Sequence, residues 1–192
     1  QSMRQLQRRR VALLARLNAL AWSAEGYLPL IQGVVDLMVS HEEVKACAVG
    51  RPDVSGRLTY EAVAGLAFGE YLRMFDSGKV RAMGVNADQR EGQGPSGRAW
   101  RDATIHRCEH FGSDPAMLGW RGIASRLGVA SSVAIPLSPS PQQPVAVLSL
   151  YSPYAGGLHS EDQQAFVEQV KTVMDLALAR LAPPRQGTEL LP

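Results

Sequence analysis

Two imidazoles, a thiol and a carboxylate fall within five consecutive residues at His106-Arg107-Cys108-Glu109-His110. Neutral imidazole and thiolate are good donors to transition metals, so His106, Cys108 and His110 are candidates for holding iron or a haem. A strand through Ala103 to Arg107 would send Ile105 and Arg107 one way and Thr104 and His106 the other, and His106 would then share a face with Cys108. The plainer reading, surface or loop packing, is favoured because no ligand-spacing signature accompanies the cluster. The expected cofactor is therefore none, with haem or iron as the alternative.

A second group is aromatic. Trp100, Trp120 and Tyr151, with Arg121 beside Trp120, have the flat faces and the cation needed to enclose a small planar ligand by stacking and cation–π contact. Their other use is to fill a core, the favoured reading for Trp100, while both readings stay open for Trp120 and Arg121. Gly94-Pro95-Ser96-Gly97 has the outline of an anion-binding loop at a helix start, but a tight turn with a helix cap explains it as well and is preferred. Cys47, inside a β-rich run, reads as a small buried hydrophobe. The chain has no Gly-rich phosphate loop with lysine, no His-Glu-x-x-His and no nucleophile elbow. No catalytic residue is assigned, and the expectation is that this fragment is not an enzyme.

These groups need elements to hold them. Leu6, Leu13, Leu14, Leu17, Leu20 and Ala21 recur at helical spacing, and Leu30, Ile31, Val34, Val35, Leu37 and Met38 form the wide apolar face of a second helix over about Leu28 to Val39. Val44 to Arg51 and Arg57 to Ala64 read as a hairpin around Pro52-Asp53-Val54-Ser55-Gly56. A short helix follows over Gly69 to Phe75, then a loop from Asp76 to Gln93, then about two helical turns after Gly94. Met117 to Leu127 is helix-compatible and stops at Gly128. Ala130 to Leu137 and Val145 to Tyr151 form a second hairpin across a proline-rich turn. Ser160, with Gln163 placed for a capping box, opens a long helix striped by Phe166, Val170, Val173, Met174, Ala177, Leu178 and Leu181, which Pro183-Pro184 ends. The order gives an α+β domain, a mostly antiparallel sheet with helices grouped on one face. The similar stripes on the first and last helices suggest a homodimer through the terminal helices.

Length and composition set the remaining bounds. At 192 residues the chain suits one domain with flanking helices, and its formal net charge of +2 comes from scattered charges. Only Arg8, Arg9 and Arg10 cluster, inside a helical pattern, which excludes a nucleic-acid footprint. Two cysteines far apart build neither a disulfide framework nor a four-cysteine zinc site, and they point to a reducing, cytoplasmic setting. No apolar run is long enough to span a bilayer, so no membrane partner is expected. Gln1-Ser2-Met3 reads as a tag remnant, residues 4–24 as a signalling and dimerisation helix, 25–182 as the sensory domain, and 183–192 as a linker toward a missing effector.

Several segments together carry a family resemblance: Cys47-Ala48-Val49-Gly50 followed by Gly56-Arg57-Leu58, Gly94-Pro95-Ser96-Gly97-Arg98-Ala99-Trp100, and Asp114-Pro115 with Trp120-Arg121. Ser132-Val133-Ala134-Ile135-Pro136-Leu137, Val147-Leu148-Ser149-Leu150-Tyr151-Ser152 and Ser160-Glu161-Asp162 complete it. From about Leu28 to Leu181 the chain resembles a GAF domain, in particular those joined to bacterial diguanylate cyclase or cyclic di-GMP phosphodiesterase domains. The resemblance implies a sheet of five or six strands, a pocket roofed by loops and short helices near Trp120 and Arg121, a small-molecule ligand, and a fused effector driven by dimerised terminal helices. Histidine kinases and transcription activators are alternative effectors. A haem or iron sensor and a GAF-fold reductase of free methionine sulfoxide are alternative activities, the latter disfavoured because it needs two neighbouring thiols. A tetrapyrrole on Cys108, as in phytochrome-like relatives, is discounted because theirs attaches nearer the helix before the last hairpin. Fold does not settle the ligand.

Overall fold

Local turn chemistry sets the first hairpin. The Asp53 carboxylate accepts hydrogen bonds from the backbone N–H groups of Ser55 and Arg57 and from the Ser55 hydroxyl, and Gly56 supplies the positive φ that closes the turn. In the computed structural model, which describes residues 2–76 and 82–181, this turn joins β1 (Ala46–Pro52) to β2 (Leu58–Ala64). A second hairpin joins β4 (Ser131–Leu137) to β5 (Ala146–Ser152), and the short β3 (His106–Cys108) lines the edge of β4. The strands form one five-stranded sheet in the order β2-β1-β5-β4-β3, with every neighbouring pair antiparallel.

Alternation gives the central strands two unlike faces. One carries Val49, Val133, Ile135, Leu137, Leu148 and Leu150, all within the larger core. The other carries mostly small groups, Ala46, Ala48, Ser132, Ala134 and Ser149, with Val147 and Tyr151. Against the bulky face pack α2 (Tyr27–Val39), through Leu30, Ile31, Val34, Val35 and Met38, and α6 (Glu161–Leu181), through Phe166, Val167, Val170, Met174 and Leu178. α1 (Met3–Ser23) lies against α6 and α2 through Leu13, Leu17 and Ala21. The shorter helices α3 (Leu66–Asp76), α4 (Pro95–Asp102) and α5 (Arg121–Leu127) pack over the small-residue face. Ser160 and Gln163 form the expected capping box of α6, and Gly128 ends α5 in the left-handed conformation.

Two segments depart from the sequence reading. The strand expected over Ala103 to Arg107 begins only at His106, because Ala103 is the left-handed cap of α4 and the Asp102 carboxylate ties back the N–H and hydroxyl of Thr104. The expected loop from Asp76 to Gln93 contains a bridge from Gly84 to Arg57 and a 3-10 turn at Arg90–Gly92, while its residues 77–81 lie outside the described residues. The stop at Pro183-Pro184 and the 183–192 linker also lie outside them.

The two ends of the chain are fastened together by polar contacts. The Arg10 guanidinium, on α1, donates to both oxygens of Glu43 at 2.7 and 3.0 Å. His41 lies 2.9 Å from the same carboxylate, and Gln163, at the start of α6, donates to it at 2.6 Å. Arg10, His41 and Glu43 are all buried. At the other end, Arg180 of α6 donates to the carbonyls of Ala21 and Ala24, which α1 leaves unpaired at its C-terminus. α1 and α6 therefore run parallel. Burial alone would raise the Glu43 pKa, but hydrogen bonds from His41, Arg10 and Gln163 and the guanidinium charge overcome it and hold the carboxyl at about 2.

Arg10→Ala should destabilise the domain by about 3–5 kcal/mol in denaturant unfolding, because it strands a buried carboxylate. The double variant Arg10→Met/Glu43→Leu should cost less, about 1–3 kcal/mol, since the guanidinium and carboxylate leave together and only the hydrogen bonds of His41 and Gln163 to that carboxylate are lost. The carboxyl titrates at 4.5 when free and at about 2 in the fold, so its stabilisation is whole above pH 4.5 and fades as the pH falls toward 2. Wild-type melting temperature should therefore drop more steeply over that window than that of the double variant; parallel curves would refute this.

Candidate ligand cavity

The small-residue face of the sheet leaves space that the overlying elements fill incompletely. A cavity of about 30 Å³ remains between a floor of Ala46 and Tyr151 and a roof that includes Tyr71 of α3, Met83, Phe111, Trp120 and, from α5, Ile123 and Leu127. Trp120 is set by local chemistry. The Asp114 side chain caps the N–H of Ala116 at 2.9 Å, Pro115 opens a 3-10 turn over Pro115–Trp120, and α5 starts at the next residue. The tryptophan thus sits at the junction of two helical segments and is buried against the sheet. It shares the cavity wall with Tyr71 of α3.

The sequence-nominated residues divide into separate groups. Trp120 and Tyr151 line the cavity. Arg121, adjacent to Trp120, turns away and donates from Nε to the Phe111 carbonyl at 3.1 Å, which pins the 109–114 loop over the roof. Trp100 is half-buried on α4, packing on Ala99, Ala134 and Val147 over a neighbouring part of the same sheet face. The glycines beside it serve close packing, since a Cβ on Gly97 would come 2.5 Å from the Gly92 carbonyl oxygen and 2.7 Å from that of Gly84.

His106 and His110 line a different, polar groove together with His159, Glu109 and Asp114. His106 lies 2.6 Å from Asp102, His159 lies 2.8 Å from Glu109, and His110 Nδ1 accepts from the Gly112 N–H. Cys108 is buried in the layer beneath, with Phe111 and Trp120. Among the described residues, no group of three or more His, Cys, Asp and Glu side chains is placed to hold a metal ion.

Sequence reasoning missed Tyr71, Met83, Phe111, Ile123 and Leu127 as cavity residues. Nothing in their immediate neighbours marks them. The available signal was the run of small side chains on one face of three strands, at Ala46, Ala48, Ser132, Ala134 and Ser149, which must leave room above it.

The cavity is electrically neutral. None of its described lining side chains carries a charge, and burial pushes the Tyr71 and Tyr151 phenols above their ordinary range. Burial, and then the charge and hydrogen bond of Asp114, push the Cys108 thiol up to about 12. Cys47 points to the opposite face, into the helix-side core, where burial raises its pKa as well. The sheet therefore separates the two thiols. At pH 8 a thiol of pKa about 12 is only ~10⁻⁴ thiolate, so neither cysteine of the native protein should react with an aromatic disulfide reagent within an hour. Both should react at once in guanidinium. Fast native labelling, or a Cys47–Cys108 disulfide on mild oxidation, would contradict this arrangement.

Solved structures share the architecture. A putative GAF sensor protein from Burkholderia vietnamiensis aligns with a TM-score of 0.66 at 14% identity, over 95% of this chain and 99% of that one. The free methionine-R-sulfoxide reductase from Neisseria meningitidis, in complex with its substrate, aligns with a TM-score of 0.65 at 13% identity over 88% of each chain. The A. aeolicus nlh2 GAF domain in an inactive state gives 0.63 at 11% identity, over 92% of this chain and 97% of that one. No curated protein matches the sequence. The reductase corrects the expectation that the fragment is not an enzyme, which rested on absent motifs: this fold hosts an enzyme class, and a cavity over an antiparallel sheet can hold a substrate as readily as a signal. The sheet, the roofed cavity and a GAF domain model matching residues 29–179 together establish that this chain belongs to the GAF domain family.

Proposed function

We propose that this domain is the ligand-sensing and dimerising module of a bacterial, cytoplasmic signal-transduction protein, and that it controls a fused effector which makes or breaks cyclic di-GMP. One observation carries the sensory part. The cavity floor belongs to β1 and β5, and the same two strands carry Val49, Leu148 and Leu150 on their other face, in the core where α2 packs on β1 and β2 and α6 packs on β4. A ligand that shifts Ala46 or Tyr151 moves β1, on which α2 rests, or β5, the neighbour of the strand β4 on which α6 rests; α2 also packs on α1, and α1 is tied to α6 at both ends. Such a ligand changes helix packing only as far as it prefers one arrangement over the other.

The exposed side of the helix pair supports dimerisation with a second copy. Val11, Trp22 and Leu176 are 62%, 77% and 68% exposed, and Trp22 and Leu176 border a groove with Ala21, Val173 and Ala177. An apolar stripe of this kind on two parallel helices is self-complementary about a two-fold axis, as an isologous dimer requires. The cyclic di-GMP part rests on the resemblance of the sequence segments quoted above. The setting in the cytoplasm is supported by two free, buried cysteines, and no helix among the described residues is long and apolar enough to cross a membrane.

Sedimentation at micromolar concentration should give a dimer, and Trp22→Glu/Leu176→Glu should give a folded monomer whose melting temperature stays within a few degrees of the dissociated wild type. A wild type that is monomeric at ~100 µM would remove dimerisation from the proposal. The natural full-length protein should convert GTP to cyclic di-GMP or hydrolyse cyclic di-GMP, with activity altered by Val11→Glu. Kinase activity or operator binding in its place would replace the effector assignment.

A further inference from the structure

The cavity's lining selects among chemical classes of ligand. Its described side chains are aliphatic, thioether or aromatic, and Tyr71, Phe111, Trp120 and Tyr151 supply four rings around one small space. Three described cations adjoin lining residues along the chain and none lines the cavity: Arg121 is held by the Phe111 carbonyl, and Lys45, which reaches toward Gly128, and Arg126 are exposed. Burial keeps the Tyr71 and Tyr151 phenols and the Cys108 thiol neutral at physiological pH. A phosphate, carboxylate or ammonium placed here would give up its hydration with no described counter-charge to replace it.

Size and mobility add a second constraint. At about 30 Å³ the cavity is well below the ~150 Å³ that takes up benzene in an engineered apolar site, so a ring enters only if roof side chains yield. The roof helices are short and carry glycine within them, Gly69 in α3 and Gly122 in α5, which lowers their intrinsic stability, whereas Gly97 of α4 is packed against two carbonyls. The floor, by contrast, is central antiparallel sheet.

We infer, building on the reading of this cavity as the ligand site, that the domain takes an uncharged, flat, largely apolar molecule with an aromatic or conjugated ring. Nucleotides, phosphate esters and free amino acids are excluded. Cyclic di-GMP then does not act on its own effector through this cavity, and the signal is a neutral compound that partitions into apolar surroundings.

Indole and indole-3-acetate carry the same ring and differ by a carboxylate, which makes them the test pair. Titration calorimetry on the intact domain should show indole binding at least tenfold tighter than indole-3-acetate, L-tryptophan, free methionine-R-sulfoxide or cyclic GMP. Ile123→Ala, which trims the roof, should tighten indole binding at least threefold, and Ala124→Leu, which fills it, should weaken it by a similar factor. If either variant fails to fold, the other locates the site. A charged probe that binds as tightly as indole and responds to Ile123→Ala would overturn the ligand class while leaving the site in place. So would turnover of methionine-R-sulfoxide with a thioredoxin system. Indole binding that neither variant alters, or no binding of any probe by wild type or Ile123→Ala, would overturn the site reading and the ligand class with it.

Discussion

A sheet covered on both faces has to bury every side chain of its central strands, and the rest of this molecule follows from how unequally the bulk is divided between them. β1, β4 and β5 place Val, Ile and Leu against α2 and α6 and mostly Ala and Ser on the other side. The bulky face interdigitates with α2 and α6 as a conventional close-packed core. The small face cannot fill its own layer, so large groups must descend from outside: Trp120, Phe111, Met117 and Tyr71 in one region, Trp100 in the next. Where these descending groups fail to meet, the cavity remains. A larger side chain at Ala46 would fill it, so the cavity depends on small side chains more than on any reactive one.

The helical face has a different organisation. Aliphatic contacts alone would let α1 slide along its neighbours, because a stripe of Leu13, Leu17 and Ala21 packs in more than one register. Glu43 removes that freedom by accepting from Arg10 of α1 and Gln163 of α6 in a buried setting, and Arg180 fixes the far end through two carbonyls of the 21–24 segment. The single geometry in which these donors are satisfied defines the register of the chain's first and last helices. A module that transmits a shift between those helices needs such a defined starting point, since a signal is a departure from one well-populated arrangement.

The neutral cavity and the polar groove separate two chemistries that lie side by side in the sequence. His106 and His110 flank Cys108 along the chain, yet the imidazoles line the solvent-facing groove while the thiol is buried in the aromatic layer. His106 and Cys108 share a face of β3, opposite Ala134 and Ser132, so burial divides them: His106 is tied to Asp102 at the groove, while Cys108 packs with Phe111 and Trp120. Reactivity that looks concentrated in a five-residue window is divided by packing. Solved structures of this architecture include a putative GAF sensor protein and a free methionine-R-sulfoxide reductase, so the fold by itself does not fix what the cavity takes.

By itself the sequence determined the elements and the class of fold, because periodicity, capping and turn chemistry act over a few residues: the Ser160–Gln163 box, the Asp53 turn, the Gly128 stop and the helical stripes all lie where local rules put them. It also marked Trp120 and Tyr151, whose types are costly to leave unexplained. It could not fix the start of β3, where the Asp102 carboxylate competes for the backbone of Thr104, nor the direction of Arg121, which a carbonyl ten residues upstream decides. Only the tertiary structure gathered Tyr71, Met83, Phe111 and Ile123 around one space, set Cys47 and Cys108 on opposite sides of a sheet, and joined Arg10 to Glu43 and Gln163. These are contacts across tens of residues, made by burial and charge pairing between elements, and no local pattern along the chain encodes which element will lie beside which.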